Sequence, residues 1–223
     1  MIYYETGSPQ TSLSVSDMRE GMITALEKMG HRQKVLVVPP DYTRLPSRSG
    51  ELTEYCWEYF GDRLTDILPA LGTHTPMTDA QISHMFGQTP KDLFRIHDWR
   101  NDVITLGTVP SEFVREVSEG ACDFTWPAQV NKLLVEGGFD LIVSIGQVVP
   151  HEVVGMANYN KNIFVGTGGT EGIHKSHYIG AAYGMEKMMG HINTPVRKIF
   201  NYASEHFATH LPIVYVQTVV GLN

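Results

Sequence analysis

Val35-Leu36-Val37-Val38, closed by Pro39-Pro40, is the stretch on which the fold turns. Its four residues are apolar without alternation, three of them β-branched, which is the pattern of a strand covered on both faces. Upstream, Met18, Met22, Ile23, Leu26 and Met29 keep the three-to-four spacing of one buried helix face, with Ser16 as cap and Gly30 as stop. The 13 residues at the start read as an extended arm. Downstream, a helix over residues 51–60 leads into Ile67-Leu68-Pro69-Ala70-Leu71, a second strand weakened by its proline and ended by Gly72. A helical segment over residues 128–136 and the turn Gly137-Gly138 precede a third run, Leu141-Ile142-Val143-Ser144-Ile145. Strands alternating with helices predict an α/β fold, a mostly parallel sheet flanked by helices. Further helices are expected over residues 177–189 and 195–206, and a last strand over 211–220. That strand reads as the way into a second domain, so residues 1–223 are taken as the N-terminal α/β domain of a two-domain protein.

Composition narrows the function. Acidic residues number 24 against 17 basic ones, a net charge of −7 with no Lys/Arg block, which argues against a nucleic-acid or anionic-membrane partner. No apolar run approaches the roughly 20 residues of a membrane span. The start has neither a basic nor an apolar leader segment, and Cys56 and Cys122 make neither a disulfide framework nor a metal knuckle. A cytoplasmic location is the expectation.

In an open parallel sheet, ligands bind beyond the carboxyl ends of the strands. Asp41-Tyr42-Thr43-Arg44 follows the first run, Gly72-Thr73-His74-Thr75-Pro76 the second, and Gly146-Gln147-Val148-Val149-Pro150-His151 the third. An acid, a guanidinium and two histidines thereby reach one rim, although a surface ion pair and two ordinary loop histidines would look the same. Lys161 stands before Ile163-Phe164-Val165, where apolar surroundings lower an amine's pKa and free it for covalent chemistry, or where a lysine merely snorkels. Gly166-Thr167-Gly168-Gly169-Thr170 offers flexible N–H groups for a phosphate, and His174 and His177, three apart, can share a metal.

The Asp41 to Arg44 motif, Gly72 to Pro76, and the stretch from His151 through Lys161 to His177 together resemble the N-terminal domain of the lactate racemase family, nickel-pincer enzymes of 2-hydroxy acids. The resemblance implies that Lys161 binds a nickel-pincer nucleotide through a thioamide, with Thr43, Gly168 and Gly169 also on the cofactor and His177 on nickel. It implies that His74 and His151 are the paired acid/base residues and that Arg44 engages the substrate carboxylate, with Asp41 supporting it. The expected function is racemisation or epimerisation of a small 2-hydroxy acid by hydride abstraction and return. The expected partners are the enzymes that make the cofactor and a C-terminal domain that closes the cleft. Met156-Ala157-Asn158-Tyr159-Asn160 stands where the founding enzymes are glycine-rich and basic, which leaves room for a larger or more polar acid. Two other readings compete: a non-catalytic metal- or ligand-binding module of the same fold, and a zinc hydrolase built on His174 and His177.

Overall fold

The computed structural model describes residues 1–221. The chain runs α1 (Val15–Lys28), β1 (Val35–Val38), α2 (Ser49–Phe60), β2 (Leu64–Ile67), α3 (Asp79–Phe86), β3 (Val103–Val109), α4 (Ser111–Val117), β4 (Trp126–Asn131), α5 (Lys132–Glu136) and β5 (Leu141–Gln147). It continues with a hairpin of β6 (Pro150–His151) and β7 (Gly155–Met156), a π-helical turn (Asn162–Gly166), α6 (Thr170–Tyr183), α7 (Met185–Met188), α8 (Pro195–Phe207) and β8 (Ile213–Thr218).

The main sheet has four strands in the order β2-β1-β5-β8, all parallel. Its central strands are buried on both faces, as the unbroken apolar runs require. Val35 and Val37 face one way, with Leu141, Val143 and Ile145, against Met22 and Leu26 of α1 and Leu52 and Cys56 of α2. Leu36, Val38 and Ile142 face the other way, into a core with Val196, Ile199 and Phe200 of α8 and Trp126 and Val130 of β4. The α/β class and the parallel sheet flanked by helices are therefore as expected.

Local boundaries differ for physical reasons. Ser14, not Ser16, caps α1: its hydroxyl accepts from Asp17 N–H, and the Asp17 carboxylate accepts from Ser14 N–H, satisfying two otherwise orphaned donors. The second strand lies at Leu64–Ile67, ahead of the proline, although Leu68 and Ala70 still donate to Val37 and Pro39 carbonyls at 2.9 and 2.7 Å. Pro69 falls between those donors, where no N–H is needed. Residues 128–136 are half strand and half helix, because β4 pairs antiparallel with β3, a strand the sequence reading did not contain. The helix expected from 177 begins at Thr170 and breaks at Gly184, whose φ of 109° suits glycine. The arm folds back on α1, where Lys28 Nζ donates to Tyr3 O. Among the described residues no helix is long and apolar enough to cross a membrane.

Candidate active site

One cavity, about 190 Å³, opens where the main-sheet strands end, and its wall includes Asp41, Thr43, Arg44, His74, His151, Lys161 and His177. Topology explains the convergence. Residues after β1 supply Asp41 to Arg44, those after β2 supply His74, and those after β5 supply His151, with β2 and β5 flanking β1 on opposite sides. Lys161 opens the π-helical turn and His177 sits on α6.

Each imidazole is fixed by what its Nδ1 meets. His74 Nδ1 donates to Asp41 Oδ2 at 2.6 Å, and Asp41 Oδ1 accepts from Thr43 Oγ1 (2.5 Å) and Thr43 N–H (3.2 Å). The Asp41 carboxylate is buried while the His74 side chain is 57% exposed, so a rigid anion holds a reachable ring with its Nε2 lone pair free. His177 Nδ1 donates to Ile173 O at 2.7 Å, which likewise leaves Nε2 as an open lone pair. His151 is the opposite case: its Nδ1 accepts Val153 N–H at 3.1 Å, so the neutral ring carries its proton on Nε2. Glu152 Oε2, 3.6 Å from that nitrogen, is a charged neighbour rather than a hydrogen-bond acceptor.

Charge is distributed just as unevenly. Burial, reinforced by the positive charges of Lys161 and Arg44, pushes the His151 pKa down to about 4. Burial and then Arg44 push the Lys161 amine down to about 8, although part of its side chain remains accessible through the cavity. Among the described residues no carboxylate lies within ion-pair distance of Lys161 or Arg44. Glu152 and Asp41 act on Lys161 only from beyond that distance.

The loop into Lys161 is strained and braced. Asn158 and Tyr159 take φ values of 64° and 56°, a left-handed conformation that asparagine tolerates and tyrosine does not favour. The buried Arg197 of α8 donates to Asn160 Oδ1, to Met156 O (2.5 Å) and to Asn158 O (3.3 Å), which ties the loop to the core.

Several expected residues lie elsewhere. Gly168 and Gly169 are not in the cavity wall: Gly168 O accepts from His97 Nε2, and Gly169 caps α6 against Gln129. A phosphate cradle there would compete with the packing that seats the helix. His174 turns its ring onto Trp99, and among the described residues no group of three or more His, Cys, Asp or Glu is placed to hold a metal, so the zinc-hydrolase donor set does not assemble. Gly166 of the glycine-rich stretch does line the cavity, and Gln147, Glu152 and Asn158, given no role from the sequence, line it too. Gln147 and Glu152 flank rim residues already singled out by position, and Asn158 lies in the polar Met156 to Asn160 stretch noted in the sequence without a role of its own.

The model of the lactate racemase N-terminal domain matches residues 21–189, most of the chain. The chain belongs to that family. No curated protein matches it. Among solved structures, a Thermotoga maritima protein superposes with a TM-score of 0.86 at 30% identity, over 99% of this chain and 54% of that one. The lactate racemase apoprotein from Thermoanaerobacterium thermosaccharolyticum superposes at 0.60 and 22% identity, over 96% of this chain and 46% of that one, a likeness of fold. The chain thus spans about half the length of either relative.

Two predictions concern the hairpin that presents His151. Gly155 has φ 86°, and a Cβ there would lie 2.0 Å from His191 O, so Gly155→Ala should destabilise the fold by about 2–4 kcal/mol in chemical denaturation. The His151 pKa, about 4 when folded, lies below the ordinary histidine value of about 6.5, so the unfolded chain binds that proton more readily. Its contribution is complete above pH ~6.5 and is lost as pH falls toward ~4, up to roughly 3 kcal/mol at 1.36 kcal/mol per unit. Denaturation curves across that window should flatten in His151→Gln, and an unchanged slope would contradict the assignment.

Proposed function

We propose that this domain carries the acid/base and cofactor-anchoring residues of a 2-hydroxy-acid racemase or epimerase, with Lys161 and His177 as the anchors of a nickel-pincer nucleotide. The observation that carries this reading is that Lys161 and His177 share one cavity wall, the amine without an ion-pair partner among the described residues and the imidazole with Nε2 free. The donor set suits the group. An amine with a pKa of about 8 is appreciably unprotonated at neutral pH, as acyl transfer to nitrogen demands. An imidazole whose other nitrogen donates to a backbone carbonyl is oriented and tautomerically fixed for a metal, and nickel accepts imidazole together with soft sulfur. When bound, the group supplies a hydride acceptor.

The remaining chemistry belongs to the chain. Arg44 offers a two-pronged donor to the substrate carboxylate. His74 Nε2 takes the 2-hydroxyl proton, and Asp41 stabilises the imidazolium that results. His151, on β6 beyond β5 and so on the other side of β1, reaches the substrate oxygen through Nε2; its neutral ring donates a hydrogen bond there, and it serves the opposite enantiomer as a base only in the tautomer that leaves Nε2 free. Loss of the 2-hydroxyl proton together with the hydride from C2 leaves a planar 2-keto acid, and the His74 imidazolium returns its proton to the oxygen as the hydride returns to the carbon.

The test is intact-mass analysis after co-expression with the cofactor-making enzymes. The wild type should carry an adduct that disappears in Lys161→Ala. Equal masses for both after subtracting the substitution would sink the proposal.

A further inference from the structure

The cavity that receives the substrate is richer in unused acceptors than a lactate-sized acid needs. Asn158 is 2% exposed and lines the cavity; its Nδ2 donates to Gly146 O at 2.7 Å, but its Oδ1 has no hydrogen-bond partner. A buried carbonyl oxygen without a donor is costly, so among the side chains of this wall Asn158 has acceptor capacity to spare for an O–H or N–H brought against it. Glu152 adds a carboxylate to the same wall, with its side chain 58% exposed. Its own backbone N–H, ahead of the positive charges of Lys161 and Arg44, holds its pKa below the usual carboxylate range, so it is an anion at neutral pH. The other lining acid, Asp41, is engaged by His74 and Thr43.

Counting charges gives the selectivity. Arg44 serves one carboxylate. The Lys161 amine, once acylated under the reading above, is neutral and no longer offsets Glu152. A second carboxylate on the substrate would then meet an anion with no spare cation beside it, whereas a hydroxyl would meet two acceptors.

We infer that the cavity selects a 2-hydroxy monocarboxylate bearing at least one further hydroxyl, that Asn158 Oδ1 and Glu152 are its acceptors, and that Glu152 excludes 2-hydroxy dicarboxylates. This rests on the proposed hydroxy-acid function and deepens it.

The probes are lactate, glycerate and malate, which differ at C3 by a hydrogen, a hydroxyl and a carboxylate. Their affinities are measured by ligand-observed NMR titration on cofactor-loaded wild type, Glu152→Gln, Asn158→Gly and Arg44→Met, each checked for the Lys161 adduct by intact mass and for folding by thermal melting. Glycine accepts the positive φ at position 158, so that variant removes the acceptor without adding backbone strain. Glycerate should bind wild type about fivefold more tightly than lactate, the worth of one added hydrogen bond, and that margin should vanish in Asn158→Gly. Malate should bind wild type about tenfold more weakly than glycerate and recover most of that in Glu152→Gln, as expected on removing a like charge. If Asn158→Gly does not fold, the Glu152→Gln comparison decides alone. Malate binding as tightly as glycerate in wild type, lost in Arg44→Met, would overturn the inference and leave the hydroxy-acid reading standing. Binding of none of the three acids would overturn both.

Discussion

Asp41→Asn should slow racemisation about 10³- to 10⁴-fold in the cofactor-loaded protein, with the melting temperature shifted by only a few degrees. The size of the effect follows from tautomer control. Asp41 Oδ1 is pinned by the hydroxyl and N–H of Thr43, both donors, so an asparagine must place its carbonyl oxygen there. Its NH₂ then points at His74 Nδ1, where the carboxylate now accepts at 2.6 Å. A donor facing Nδ1 drives the imidazole proton onto Nε2, and the base disappears without a change of shape. Racemisation followed by optical rotation gives the rate, and the ¹⁵N shifts of His74 report the tautomer directly. Because the two residues act as a unit, Asp41→Asn combined with His74→Asn should be little worse than His74→Asn alone. Retention of activity within tenfold in Asp41→Asn would remove Asp41 from the mechanism.

The same structural asymmetry separates what could be read from the sequence from what could not. β1 and β5 declare themselves because a strand buried on both faces needs an unbroken apolar run, and Val35 to Val38 and Leu141 to Ile145 have no other common explanation. The residues following them inherit their place at the strand ends, which is why Asp41, Arg44 and His151 could be set on one rim before any coordinates. β3 and β4 could not be seen: Val103–Val109 is interrupted by Gly107 and half-buried along most of its length, and the helical spacing that begins at Ala128 conceals a strand that pairs with β3 and packs into the core. Gly168 and Gly169 misled because glycine richness signals backbone freedom without saying what uses it; here close approaches to Phe164 O and to the Gln129 side chain do. Arg197 was invisible for a third reason. A basic residue in an amphipathic helix ordinarily belongs to the solvated face, and only the tertiary fold turns this one inward.

That inward arginine carries the second large effect. Arg197→Met should cost about 3 kcal/mol of stability in chemical denaturation, even though it removes a buried charge with no carboxylate beside it among the described residues. Burial lowers the Arg197 pKa to about 10, a sign that the cation is held at some expense, and hydrophobic replacement recovers that expense. The acceptors it abandons outweigh the gain: Asn160 Oδ1, Met156 O and Asn158 O lie in a loop where methionine supplies no donor and water has little access. Two residues of that loop are left-handed, and without the guanidinium the strained pair keeps only the bond from Asn158 Nδ2 to Gly146 O, local backbone bonds and the Tyr159–Tyr215 contact. Lys161 is the next side chain but one, so the damage should reach the amine. Arg197 is also one of the positive charges acting on it, after burial and Arg44, which lower its pKa to about 8. Amine labelling followed against pH, well below the melting temperature, should therefore place the Lys161 pKa higher in Arg197→Met than in wild type. A stability loss with an unmoved amine titration would make Arg197 a brace for the fold alone, whereas movement of both ties the reactivity of the anchoring lysine to a helix that never touches the substrate.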